Sequence, residues 1–521
     1  RWEVYLSTGR SDRLVRPGAA NHPGEAIDAQ RVYSKSPRRI PVNAPQSRSL
    51  IVSTTLGRVE GAPGEGVIAF RGIPYAAPPL GPLRFRPPAP HPGWTGVRET
   101  RAPAAVPPQN PSRLRNVLGD YDLPQSEDCL TLDVIRPADL DQPAPVLVWL
   151  YGGAFVTGGT AIPWYDGTAF AANHSLVFVA PNYRLGALGF LAHPELGPGN
   201  AGLRDQVAAL EWVRDNIAEF GGDPERVTVM GQSAGAISVF GLLAHAPATP
   251  LFHQAILQSG RFNSLASRET MEGSGESFFA SSGLSADALR ALPIDQLLAL
   301  QGQAIRENAQ FSVTSTPFRP AADGEHLPLE TFQAAVEGAR GKRIMLGWTR
   351  DELSAFFADD PQIASATPAQ VDEAMKRHWG GNWAEGAAYI QARAPGSAVA
   401  RTLALAVNEC TFAGSTVAFA EALATVSAPW LYRFDWGAAG NRFAATHCVE
   451  LPFIFDNTAQ WYPPMHEPSS PEERRALALV LNHAWASFAS AGNPQHERLP
   501  SWPPYTRPER STLRIDTVIE P

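Results

Sequence analysis

The segment with the clearest chemical meaning is Gly231-Gln232-Ser233-Ala234-Gly235. It follows Val227-Thr228-Val229-Met230, an apolar run of strand character, and precedes Ile237, Phe240 and Leu243, which recur as a helix face requires. A serine between two glycines on a sharp strand-to-helix turn is a nucleophile pattern. Gly231 and Gly235 carry no Cβ to strike the neighbouring strand and helix, so the turn closes tightly and lifts the Ser233 hydroxyl above the sheet edge. The helix N-terminus beside it favours the negative charge that an attacked carbonyl develops.

A serine nucleophile needs a base, and the base needs an orienting acid. On a turn of this kind both follow the serine in the chain, the acid first. Ile344-Met345-Leu346 reads as a later strand, and beyond it Asp351 and Glu352 compete for the acid role. His378, His447, His466, His483 and His496 follow; His447 falls in a loop after the strand around Trp430-Leu431-Tyr432, where the base belongs. Upstream, Val146-Leu147-Val148-Trp149-Leu150 runs into Tyr151-Gly152-Gly153-Ala154-Phe155. Small residues directly after a strand turn backbone N–H groups toward a substrate oxygen, and the N–H of Ala234 adds another.

These residues must be held by a sheet. Leu176-Val177-Phe178-Val179 and Ala255-Ile256-Leu257 are further short apolar runs suited to central strands covered on both faces. Leu203, Val207, Leu210, Val213 and Ile217 mark a helix between two of the strands, ended by Gly221-Gly222. Alternating strand and helix predicts an α/β fold with a mostly parallel central sheet, with helical insertions over residues 265–340 and 360–425. No composition break divides residues 50–521, which read as one domain. Residues 1–49 are polar, with Arg10, Arg13, Arg16, Arg31, Lys35, Arg38 and Arg39, and read as an N-terminal extension.

With these residues in view, the chain resembles the type-B carboxylesterase/lipase family of α/β-hydrolases, which includes cholinesterases and bacterial p-nitrobenzyl esterases. The resemblance runs over about residues 52–515, through Phe70-Arg71-Gly72-Ile73-Pro74-Tyr75-Ala76, Ser126-Glu127-Asp128-Cys129-Leu130, Asn182-Tyr183-Arg184-Leu185-Gly186, Gln258-Ser259-Gly260, Thr349-Arg350-Asp351-Glu352 and His447-Cys448-Val449-Glu450-Leu451-Pro452-Phe453. It implies Ser233 as nucleophile, Glu352 rather than Asp351 as the acid and His447 as the base. It also implies Gly152, Gly153 and Ala234 as oxyanion donors, and hydrolysis of a small-molecule ester through an acyl-enzyme. Rival readings are a non-catalytic cholinesterase-like adhesion or binding homologue, and an amidase or lactonase on the same triad.

Departures from that family are equally informative. Its usual H-G-G-G-F is Tyr151-Gly152-Gly153-Ala154-Phe155 here, and the residue before the nucleophile, often Glu, is Gln232. Cys129 lacks its upstream disulfide partner, so the loop at 105–127 is expected to be freer. Arg261 stands where the family usually has a small residue near the acyl side. A guanidinium there, with Arg113 and Arg115 in the loop, points to anionic or polycarboxylate esters, such as the tricarballylic esters of fumonisin-type toxins. Phe155 and Gln232 join Arg261 as expected substrate-binding residues.

The 521 residues carry 43 Lys and Arg against 51 Asp and Glu, a formal charge of −8, which argues against a nucleic-acid partner. No run of about 18–20 apolar residues predicts a membrane span. Cys129, Cys410 and Cys448 match no zinc spacing. Gly197-Pro198-Gly199-Asn200-Ala201-Gly202 fits a dinucleotide-binding pattern but follows a proline-containing loop, so no cofactor is expected. The chain looks bacterial and retains no signal-peptide core; cytoplasmic, periplasmic and secreted locations, and the oligomeric state, stay open.

Overall fold

The computed structural model describes residues 50–517, apart from Asp120 and most of 381–398, together with Ile519. The extension expected over residues 1–49 lies outside the described residues.

A ten-stranded sheet carries the fold. In chain order its strands are β1 (Ala62–Pro63), β2 (Val67–Pro74), β3 (Thr131–Pro137), β4 (Ala144–Leu150), β5 (Val177–Pro181), β6 (Gly222–Gln232), β7 (Gln254–Gln258), β8 (Arg343–Thr349), β9 (Trp430–Phe434) and β10 (Leu513–Ile515). In space they run β10-β9-β8-β7-β6-β4-β5-β3-β2-β1. The seven from β10 to β5 are mutually parallel. The three at the other edge, β3, β2 and β1, pair antiparallel. Every residue of β4, β5 and β7 is buried, as expected of strands covered on both faces.

Two helices that pack on β4 do much of that covering, α1 (Ala234–Ala244) and α2 (Pro471–Ala491). The expected helix of Leu203 and Val213 is Ala201–Asn216, continued by a short 3₁₀ turn and closed by Gly221 in the left-handed region. Both predicted insertions are helical. Val399–Cys410 and Phe412–Leu423 are apolar enough together to span a membrane by length and composition. However, 67% of the most apolar window is buried in the protein, where Leu403, Val407 and Phe412 join a core with Leu353, Met375 and Trp379.

Because the central strands are parallel, their C-terminal ends share one edge. Tyr151, Ser233, Ser259 and Arg350 therefore each begin a segment at that edge. Beneath it, Arg184 grips Asp205 with Nε at 2.8 Å and Nη2 at 2.6 Å, and its own N–H adds a bond of 3.1 Å. Both side chains are almost fully buried, and Arg184 also donates to the Arg86 carbonyl at 2.6 Å.

Hydrogen bonds close the described part of the 105–127 loop. Val106 bridges to Gln125, and Ser126 donates to the Val106 carbonyl at 3.0 Å. Gln109 exchanges two bonds with the Gly158 backbone, at 2.7 and 2.8 Å.

Removing Asp205 strands a buried guanidinium. Asp205→Ala is expected to lower unfolding stability by about 3–5 kcal/mol, read as a shift of the denaturant midpoint.

Candidate active site

Ser233 sits at φ 57°, ψ −120°, a conformation an L-residue adopts only when its surroundings enforce it. The enforcement is visible on three sides. The Ser233 N–H donates to the Gln258 carbonyl at 2.8 Å, extending the β6–β7 ladder by one bond. A Cβ on Gly235 would lie 1.9 Å from the Leu150 carbonyl oxygen, and one on Gly231 would lie 2.4 Å from the Gly235 carbonyl carbon. Only glycine allows β4, the turn and α1 to approach this closely.

The glycine loop after β4 abuts the same turn. A Cβ on Gly152 would lie 3.0 Å from the Ser233 Cβ. Gly153 has φ 119°, and Ala154 and Phe155 follow with φ of 54° and 62°. The positive φ of Ala154 and Phe155 was not legible from their residue types. Tyr151 fixes the start of the loop: its ring stacks on Tyr183 at 4.4 Å, and the Tyr183 hydroxyl donates to the Tyr151 carbonyl at 2.6 Å. Ala234 is the first residue of α1, so its N–H has no acceptor within the helix. Gly152 and Ala234 thus lie beside Ser233, and Gly153 follows in the same loop.

Of the two acids, Glu352 meets the histidine. Glu352 Oε2 accepts a short hydrogen bond from His447 Nδ1, and Oε1 accepts from the Thr349 N–H at 2.8 Å. Both side chains are buried. With Nδ1 donating to the carboxylate, Nε2 is left to accept a proton. The Gln232 amide lies 3.3 Å from that Nε2 and 3.3 Å from Cys448 Sγ, joining the serine turn to the histidine loop. Phe356 and Phe412 flank the imidazole at 5.6 and 5.2 Å between ring centres.

Asp351 has a different task. Its N–H donates to the Ala445 carbonyl at 2.9 Å, and its Oδ2 accepts from the Ala445 N–H at 3.3 Å. Arg350 and Arg401 neutralise it at 2.9 and 3.4 Å. Asp351 therefore clamps the loop that carries His447 two residues on. Glu450 is a second buried acid nearby, beside the Gln258 amide. Burial, reinforced by the charge of Glu352, pushes its carboxyl up to about 8, so it holds its proton at neutral pH.

The remaining expected residues separate. Arg261 is half-buried; its Nη1 donates to Thr314 Oγ1 at 3.0 Å and its guanidinium lies 5.6 Å from the centre of the Phe412 ring. Phe412 thus touches both Arg261 and His447. Phe155 is 3% exposed and packs on Phe190 at 5.0 Å, so it braces the loop from within the core. Arg115 is exposed on the short helix Arg115–Leu118. Among the described residues, no group of three or more His, Cys, Asp or Glu side chains is arranged to hold a metal ion.

A serine elbow at the C-terminal edge of a largely parallel sheet, joined through Gln232 to a histidine that a preceding acid orients, defines an α/β-hydrolase. The chain belongs to the carboxylesterase family, whose sequence model matches residues 48–520. It is 37% identical to para-nitrobenzyl esterase of Bacillus subtilis, covering 90% of this chain and 95% of that protein. It is also 37% identical to fumonisin B1 esterase of Sphingopyxis macrogoltabida, covering 88% of this chain and 85% of the relative. A solved PNB esterase superposes with a TM-score of 0.83 at 35% identity, over 91% of this chain and 97% of the other.

Two outcomes follow from the buried acids. Asp351→Ala frees the histidine loop and is expected to cut kcat about 10- to 100-fold with KM little changed, while Asp351→Asn, which keeps an acceptor for the Ala445 N–H, recovers part of the loss. For Glu450 the folded state holds a proton that the unfolded state releases near its ordinary value of 4.5. Stability is therefore fully present below that value and is lost as pH rises towards about 8. Glu450→Gln is expected to flatten that decline in denaturant titrations at successive pH values.

Proposed function

We propose that the chain hydrolyses carboxylic esters through an acyl-enzyme on Ser233, with His447 as base and Glu352 as the orienting acid. The observation that carries this reading is the Glu352–His447 hydrogen bond beside the strained Ser233 turn. His447 Nε2 takes the hydroxyl proton as Ser233 Oγ attacks the ester carbonyl. The N–H groups of Gly152, Gly153 and Ala234 receive the developing oxyanion. The imidazolium, held by Glu352, then gives its proton to the departing alcohol. Water deprotonated by the same nitrogen attacks the acyl carbonyl; the bond to Ser233 Oγ then breaks, the imidazolium returns the proton to that oxygen and the acid is released.

The acyl side favours an anion in this reading. Arg261 lies one aromatic ring from His447, and its contacts among the described residues include no carboxylate. Gln232 adds no negative charge beside His447. The likeness to an enzyme named for a fumonisin ester supports a carboxylate-bearing acyl group, with polycarboxylic esters as the fullest case.

Ser233→Ala is expected to lose about 10³-fold or more in kcat/KM on p-nitrophenyl butyrate, and a fluorophosphonate probe should label the native chain but not the variant. Labelling that persists in the variant would refute Ser233 as nucleophile. Arg261→Ala is expected to lower kcat/KM on a hemisuccinate ester about ten-fold more than on the butyrate; equal losses would remove the anionic preference while leaving the esterase reading intact.

A further inference from the structure

Arg261 is one of three arginines that converge on a single short segment. Arg113, on the rim of the 105–127 loop, donates from Nη2 to the Thr314 carbonyl at 2.7 Å. Arg261 takes the hydroxyl of the same threonine at 3.0 Å. Arg319 donates from Nη1 to the Thr316 carbonyl at 2.6 Å and from Nε to the Ser264 carbonyl at 3.1 Å. Ser264 in turn donates to the Arg261 carbonyl at 2.7 Å, so the segments at 261–264 and 314–319 are stitched together.

Among the described residues none of the three guanidinium groups reaches a carboxylate; their contacts are backbone carbonyls and one hydroxyl. The Nε–H of Arg261 is buried with no acceptor. Burial lowers the Arg261 guanidinium to about 10 and the nearby charge of Arg319 adds to the effect, which still leaves Arg261 charged at neutral pH. Buried cations normally find an acid within the protein. Here spare donors and uncompensated positive charge are gathered in one place instead.

That place adjoins the reacting centre on two sides. Phe412 links Arg261 to His447, and Thr316 Oγ1 lies 3.4 Å from the carbonyl of Ala154 in the glycine loop. An acyl chain running from the ester carbonyl on Ser233 Oγ towards Phe412 would meet Arg261 first, then Arg113 at Thr314 and Arg319 at Thr316.

We propose that Arg261, Arg319 and Arg113 form a subsite for two carboxylates, so that the preferred substrates are monoesters of tricarboxylic acids whose two free carboxylates both reach arginine. Arg261 takes the carboxylate nearer the ester carbonyl, and Arg319 with Arg113 takes the farther one. The inference rests on the esterase reading above and adds Arg319 and the second charge to it.

The test uses three p-nitrophenyl esters: butyrate, hemisuccinate, and the monoester of propane-1,2,3-tricarboxylate, bearing zero, one and two free carboxylates. Native kcat/KM is expected to rise at each step, with the second step lost in high salt. In Arg319→Gln and Arg113→Gln the ratio of the two-carboxylate to the one-carboxylate ester should fall about ten-fold or more, mainly through KM. Arg319→Lys should recover part of it, and the distant surface variant Arg214→Gln should leave it unchanged. A native enzyme that treats the one- and two-carboxylate esters alike overturns the subsite, as does an unchanged ratio in Arg319→Gln. Failure to hydrolyse all three esters, with no fluorophosphonate labelling, would instead overturn the esterase reading itself.

Discussion

The Gly235 α-carbon lies so close to the Leu150 carbonyl that no side chain fits between them, and the active edge is built around that contact. It brings the end of β4 against the start of α1. The glycine loop that leaves β4 therefore lies against the serine that precedes α1, and neither can move without the other. The strain at Ser233 is held by parallel strands on either side of β6, so it is offset by the packing of the whole sheet. An oxyanion site assembled this way is rigid before a substrate arrives, and donors already in place need no reorganisation during reaction.

Two kinds of acid surround the histidine, and their environments divide the labour. Glu352 is buried but bonded to an imidazole and a backbone N–H. Asp351 is buried but faces two arginines and a backbone N–H. Glu450 is buried with no arginine or imidazole bonded to it and stays neutral. Were Glu450 ionised, two negative charges would bear on one imidazole. Its neutrality leaves Glu352 as the charge that orients His447. On the acyl side the sign is reversed, with arginines left without acids.

Much of this arrangement was legible in the chain. The elbow, the glycine loop and the strands carry strong local signals, because buried parallel strands read as apolar runs and tight turns demand glycine. Residue spacing alone left Asp351 and Glu352 as equals; the family resemblance favoured Glu352. Their difference is tertiary, since Thr349 and His447 come to one side of the turn and Ala445 to the other. Arg319 was also invisible, since it lies 58 positions after Arg261 and is brought near only by the stitching through Ser264 and Thr316. The closure of the 105–127 loop was hidden for a related reason: Gln109, Val106 and Gln125 supply it through backbone contacts that cysteine counting does not register.

That closure differs in kind from a covalent one. A disulfide sets a fixed tether, whereas a bridge of a few hydrogen bonds opens and recloses with a local free energy well below that of global unfolding. The rim that carries Arg113 is in this sense a reversible latch. Its bonds can be broken and remade with no change of redox state and no disturbance to the sheet beneath.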